Sequence, residues 1–434
     1  MKAKISAILI TVLAVFGITL YTTASQTAHA RSSQPSDSPV ITSTVAPRNV
    51  ILFIGDGMGP EQIRAAGMYQ NGSAGTLVME SFPYFSTMTT YSANSDVTDS
   101  AAGATAMATG HKVNNGVLSI DRPGDNHKLE TLLERFHTHC KRAGLATTTF
   151  VTHATPAAFG AHELLRTFYN NIAYDYLLKT RPDVLFGGGG YGLNPTNATA
   201  AGYTVVTDRE AMLQTLAFTS TTRVSGQFGT TDLPYEYDYV AGIDPGYITL
   251  PHLSEMVSTT LRLLEDAPNG FFLMVEGGRI DHAGHANDIA RNVFEVLEFD
   301  SAIEVAYTWA ISRTDTLIIV TADHETGGLE VVANNGAGNF PTVTWATTSH
   351  TATPVPVYAW GANAELAPQV TDNTHIYHLA SAGLTDTATC APVGVRLANF
   401  RSHSRPIEQM IIIGMIAGVG LHAIRETQTR HIPC

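Results

Sequence analysis

The sequence predicts an α/β protein with a central, mostly parallel sheet sandwiched by helices. Two observations carry this. Short apolar runs alternate along the chain with amphipathic helical patterns, the arrangement that builds a parallel sheet with helices on both faces. Polar, metal-competent residues also recur just after those apolar runs, and in open α/β sheets ligands bind at the carboxyl ends of the strands.

The elements follow in order. Residues Asn49 to Ile54 form an apolar run that stops at Gly55-Asp56-Gly57, which reads as a buried strand and a tight loop. Thr98, Asp99 and Ser100 are good N-cap types, and the Ala-rich run behind them favours a helix starting at or near Ser100. Leu129, Leu132, Leu133, Phe136 and Cys140 have helical spacing and predict a helix over 128–142. A strand is expected over 146–152, ending at His153-Ala154-Thr155, and another over 183–186, closed by four glycines. The Thr-, Gly- and Tyr-rich stretch from 191 to 246 reads as an excursion over the surface rather than a separate domain. Beyond it come a helix marked by Leu253 to Leu264, a strand over 271–275 ending at Glu276, and a long helix over 292–311. Strands over 316–321, ending at Asp323-His324, and over 355–360 complete the core.

The ends differ in kind from this core. Lys2 and Lys4 precede an apolar run from Ile5 to Leu20 and then Ala28-His29-Ala30, the pattern of an export signal. We therefore expect a signal peptide over 1–30, a flexible Ser/Pro/Thr-rich leader over 31–47 and a periplasmic or extracellular location. The retained membrane anchor is the competing reading, and the apolar run is short for a span. Residues 385–434 form a tail of uncertain role, with five arginines and an apolar stretch from Met410 to Leu421. Three cysteines do not make a disulfide framework. Cys140 is expected in the core on its helix face, and Cys390 and Cys434 could pair. A formal net charge of −13 argues against a nucleic-acid partner but not against an anionic substrate, since a bound metal reverses the local field.

Ser100 would meet the unpaired N–H groups and positive dipole end of a helix, both of which favour an anion. Read alone, it could equally be only a helix cap. Asp281 and His285 stand four residues apart, on one face of a helical turn. With His350 they make a zinc-type set that leaves room for water or substrate. Asp56, Asp323 and His324 form a second mixed set. Two metals close together can hold the entering and leaving oxygens of an in-line phosphoryl transfer. Arg166 suits a phosphate clamp, with a surface ion pair as the plainer alternative.

These residues carry a family resemblance. The chain resembles the alkaline phosphatases in Phe53-Ile54-Gly55-Asp56-Gly57-Met58-Gly59, Val97-Thr98-Asp99-Ser100-Ala101-Ala102, Thr152-His153-Ala154-Thr155-Pro156-Ala157 and Val275-Glu276-Gly277-Gly278-Arg279-Ile280-Asp281. It continues through His285-Ala286, Thr321-Ala322-Asp323-His324 and His350-Thr351, so that a domain over 48–384 is covered in the family's order. The resemblance implies that Ser100 is a nucleophile that becomes phosphoserine and that Arg166 binds phosphate. It implies that Asp281, His285 and His350 hold one zinc, and that Asp56, Asp323 and His324 hold a second. Asp56, Thr155 and Glu276 would surround a third metal, usually magnesium. A phosphomonoesterase of broad specificity, commonly a homodimer, is the implied protein. Imidazole and carboxylate ligands also accept cobalt in place of zinc.

The pattern departs from the enteric bacterial branch at His153 and His282, where that branch has Asp and Lys and the animal enzymes have His. Both histidines are expected to line the site near the third metal without being primary zinc ligands. The segment between Gly190 and Pro251 is short, so no large crown-like insertion is expected. Two other functions compete with this one. A phosphodiesterase or sulfatase of the same superfamily usually brings a Thr or modified Cys nucleophile, which Ser100 argues against. A non-catalytic metal- or phosphate-binding relative should have lost Ser100, Arg166 or a ligand, and none is missing.

Overall fold

The computed structural model describes residues 41–214, 223–385 and 390. The segment expected as an export signal, most of the expected leader and the apolar stretch of the tail lie outside the described residues. Nine strands form one sheet. They are β1 (Asn49–Ile54), β2 (Tyr84–Met88), β3 (Arg142–Phe150), β4 (Val184–Gly188), β5 (Tyr203–Val206), β6 (Arg223–Gln227), β7 (Phe271–Glu276), β8 (Thr316–Thr321) and, far along the chain, Val355–Gly361. The order across the sheet is β2, Val355–Gly361, β8, β1, β7, β3, β4, β6, β5. Every pairing is parallel except those of Val355–Gly361, which runs antiparallel to both β8 and β2.

The centre of the sheet follows from composition. NVILFI, FFLMVE and TLIIVT are buried at every position, as strands covered on both faces must be. The helices Leu253–Leu264 and Ile289–Ala310 cover part of it and bury Leu261, Val296, Phe299 and Ile303 in the same core as β1, β7 and β8.

Three expectations are corrected. The helix predicted over 128–142 is shorter, Leu132–Thr138, because a Thr131–Glu134 capping box starts it late and Cys140 adopts a left-handed φ of 58°. Cys140 is accordingly not a helix-face core residue. It forms a disulfide with Cys390, Cα to Cα 5.4 Å, rather than leaving Cys390 to Cys434. The third correction concerns the stretch from 191 to 246, which is more than a surface excursion because it supplies β5 and β6 to one margin of the main sheet.

Four neighbouring parallel strands, β8, β1, β7 and β3, end side by side at their carboxyl ends. Asp323 and His324 follow β8, Asp56 follows β1, Glu276 closes β7, and His153 with Thr155 follows β3. The sheet therefore converges these groups from segments far apart in sequence.

Candidate active site

Ser100 is the first residue of the helix Ser100–Thr109 and is buried. Asp99 is its N-cap, accepting from the Ala102 N–H at 3.0 Å, a contact of a kind that contributes on the order of 1 kcal/mol. All ten helix residues are buried, and most are small. Gly103 is needed for this approach, since a Cβ there would sit 3.0 Å from the Asp323 carbonyl oxygen. The helix start therefore lies against the loop after β8, with Ser100 Oγ 3.4 Å from His324 Nε2.

The carboxylates beneath Ser100 are short of partners. Asp56 Oδ1, Asp323 Oδ2, Glu276 Oε1 and His153 Nδ1 are buried atoms with no hydrogen-bond partner. Buried polar atoms are nearly always satisfied, so a cluster of such orphans is what a cation site presents without its ion. Ligand-capable atoms fall into overlapping groups: Asp56, Asp323 and His324; Asp281, His324 and His350; and Asp56, His153 and Glu276. His285 joins the second group through contacts of 3.3 Å to Asp281 and 3.2 Å to His350 Nε2. Thr155 Oγ1 stands 3.5 Å from Asp56 Oδ2, at the edge of the third.

The second layer of contacts orients these ligands, as metal sites require. Thr326 donates to Asp281 Oδ1 at 2.5 Å, and the Gly57 N–H donates to Asp323 Oδ1 at 3.3 Å. Gly57 has φ of +73° and leaves no room for a Cβ, which would meet the Asp281 backbone at 2.8 Å. Thr147 and Thr149 both donate to Glu276 Oε2. His285 and His350 place Nδ1 against the carbonyls of Thr348 and Thr98, at 2.7 and 2.9 Å, leaving Nε2 for the site.

Arg166 sits beside this cluster. Its Nη1 donates to Asp99 Oδ2 at 3.1 Å, and its Nη2 lies 3.1 Å from His153 Nε2. Because guanidinium only donates, His153 must accept there through Nε2 and carry its proton on Nδ1, toward Glu276. The same logic applies to His282, whose Nδ1 is 2.7 Å from Arg279 Nη1. His282 is set back from the ligand groups, its ring centroid 5.9 Å from that of His153. Arg279 is held in turn by Asp232 at 3.4 Å and by the Tyr235 ring, 3.7 Å from its guanidinium carbon to the ring centroid.

The electrostatics suit a site for cations. Burial, then Asp323 and the other carboxylates, push Asp56 well above the usual carboxylate range, and burial with Asp281 and Glu276 does the same to Asp323. Burial and His350 lower His324. Asp281 is held low. Burial opposes its ionisation, but the His285 hydrogen bond with the imidazoles around it outweighs that, and the same hydrogen bond pushes His285 up to about 9. Burial and Arg279 push His282 down to about 4. Divalent cations would ionise the acids and keep the imidazoles neutral.

Asp99 as the Arg166 partner, Thr147, Thr149 and Thr326 on the carboxylates, and Arg279 with Asp232 behind His282 escaped the sequence reading. Thr147 and Thr149 carried a signal, since alternate strand positions share a face.

The arrangement is that of overlapping groups of metal-competent side chains beside a serine at a helix start. A family model described as alkaline phosphatase matches residues 47–340. Alkaline phosphatase 3 of Bacillus subtilis is 37% identical over 304 residues, 66% of this chain and 63% of that protein. The solved alkaline phosphatase of the Antarctic bacterium TAB5 aligns with a TM-score of 0.66 and 29% identity, covering 78% of this chain and 98% of that one. A His-to-Asp variant of the TAB5 enzyme, which aligns equally well at 28% identity, has magnesium bound in its M3 site. The chain belongs to the alkaline phosphatase family. It spans a little under two thirds of the length of the Bacillus subtilis relative.

Proposed function

We propose that the chain is a metal-dependent phosphomonoesterase of broad specificity that acts through a phosphoserine at Ser100. The observation that carries this reading is the position of Ser100 Oγ, at a helix start and 3.4 Å from His324, whose Nε2 is also 3.4 Å from the Asp56 and Asp323 oxygens that have no hydrogen-bond partner. Asp281, His285 and His350 would hold one zinc, and Asp56, Asp323 and His324 a second. Asp56, Thr155 and Glu276, with His153 facing them, would hold a third ion, magnesium in this reading. A homodimer exported to the periplasm or cell exterior completes the proposal. Among the described residues, no helix is long and apolar enough to cross a membrane.

Bound there, divalent metals supply the charge that lowers the pKa of the serine hydroxyl and of a water and that steadies the departing alcohol oxygen. The chain's residues supply position. Ser100 Oγ attacks phosphorus in line as the P–O bond to the alcohol breaks on the opposite face, and Oγ leaves in turn when water attacks from the face the alcohol vacated. The N–H groups at the helix start and the Arg166 fork face the phosphoryl oxygens and offset their growing charge. Asp99 and His153 hold that fork in one orientation, so little ordering remains to be done on binding. None of these contacts reads the alcohol part of the substrate, which is the reason for broad specificity.

The direct test is hydrolysis of a chromogenic phosphate monoester with and without a chelator. Turnover should fall to the background rate on chelation and return with added zinc. Chelator-insensitive turnover, or activity confined to diesters or sulfate esters, would contradict the proposal.

A second expectation concerns the third ion. His153 offers a neutral imidazole where magnesium prefers oxygen ligands. His153→Asp should therefore tighten magnesium retention, read by metal analysis and by magnesium titration of activity. Unchanged magnesium affinity would remove His153 from that role. The magnesium seen in the TAB5 His-to-Asp variant supports this direction.

A further inference from the structure

A cavity of about 640 Å³ opens at the opposite end of the sheet from Ser100. Arg142 and Arg223 are the first residues of β3 and β6, and Asp183 immediately precedes β4. Its floor is therefore the amino ends of three parallel strands, whereas the candidate active site gathers at carboxyl ends.

The charge on its wall runs against that of the protein. The chain carries a formal −13, yet among the described residues six lysines and arginines line the cavity against three carboxylates. Those carboxylates are already engaged. Asp183 lies 3.3 Å from Arg142 Nε and 3.4 Å from His137 Nε2, Glu134 lies 3.2 Å from His162 Nε2, and Glu130 lies 3.3 Å from Arg135. Lys179 pairs with Asp175 outside the cavity at 2.6 Å, but other cations of the wall are poorly compensated. Lys141 donates to the carbonyls of Arg48 and Asn269, each at 2.8 Å, and Arg181, only 6% exposed, donates to the Ala201 carbonyl at 2.9 Å. Neither forms an ion pair within 4.0 Å among the described residues, and Arg223 comes no closer than 4.0 Å to Asp183. Burial and Arg48 push the Lys141 ammonium down to about 8, and burial with Arg223 lowers Arg181. Buried charge without a counter-charge is costly, and an anion in the cavity would relieve it.

We propose that this cavity is a second anion site, distinct from the catalytic cluster, that takes a phosphate-bearing small molecule. Arg223 and Lys128 offer a guanidinium fork and an ammonium on the wall, the donors that suit a dianionic oxyanion. The volume exceeds what a bare oxyanion needs, and Leu129 with the Cys140–Cys390 disulfide gives apolar wall for an organic body.

The test is calorimetric titration of the metal-loaded, full-length chain with phenylphosphonate, which carries the charged head and an apolar body. The Lys128→Gln, Arg223→Gln pair should lower the number of sites per chain by one and leave chromogenic monoester turnover unchanged, and Arg223→Lys should keep the site. Should the pair fold poorly, Lys128→Glu alone, at an exposed position, should weaken the cavity event about tenfold or more. A site count that is the same in wild type and in the folded pair would overturn the proposal. So would a site that appears only after residues 391–434 are removed, because the chain itself would then be the occupant.

Discussion

Replacing Ser100 with alanine is expected to lower monoester turnover by about a thousandfold or more while leaving metal content intact. The size follows from its place as the attacking atom: without Oγ, the reaction has lost the covalent route that divides one difficult displacement into two easier ones. The retention of metal follows from geometry. The ligand-capable atoms of Asp56, Asp323 and His324 lie within 4.8 Å of one another, enough to hold an ion without the serine hydroxyl, and the Gly57 and His324 N–H groups orient Asp323. Metal analysis beside steady-state kinetics checks both halves. A variant that loses its metal as well as its turnover would make Ser100 a structural ligand first.

Asp56→Asn should be as damaging, for a different reason. Asp56 belongs to two of the ligand groups, with Asp323 and His324 on one side and with His153 and Glu276 on the other. Removing its charge should deplete metal at both and reduce activity by about a thousandfold or more. The metal-free protein should respond in the opposite sense. Burial and the neighbouring carboxylates raise the Asp56 pKa, so its ionised form opposes folding at any pH above the ordinary carboxylate range. A neutral amide of the same shape removes that opposition. Thermal unfolding should therefore show the metal-free variant melting higher than metal-free wild type, and the metal-loaded variant melting lower than its counterpart. A metal-free variant less stable than wild type would show that Asp56 holds the loop by its hydrogen bonds rather than straining it by its charge.

The parts of the fold legible in the sequence are those where one force dominates. β1, β7 and β8 are buried on both faces, so continuous apolar runs announce them. Their carboxyl ends were equally legible, which is why Asp56, Glu276, Asp323 and His324 could be grouped before any coordinates. β5 and β6 were not, because YTVV and RVSGQ lie toward the margin of the sheet, and their Thr, Ser and Arg side chains blur the apolar signal. The Cys140–Cys390 pair was hidden because 250 residues separate its partners and sequence does not encode connectivity. The supports of the site were hidden likewise. Thr326 reaches Asp281 across 45 positions and Thr147 reaches Glu276 across 129, contacts that only the assembled sheet creates.

The covalent step is tested most directly by quenching the metal-loaded enzyme in acid during turnover of a monoester labelled on phosphorus and mapping the labelled peptide. The account predicts label on the peptide that carries Ser100, and none on that peptide in Ser100→Ala. Label on a different residue, or continued turnover with no covalent label at any quench time, would contradict it.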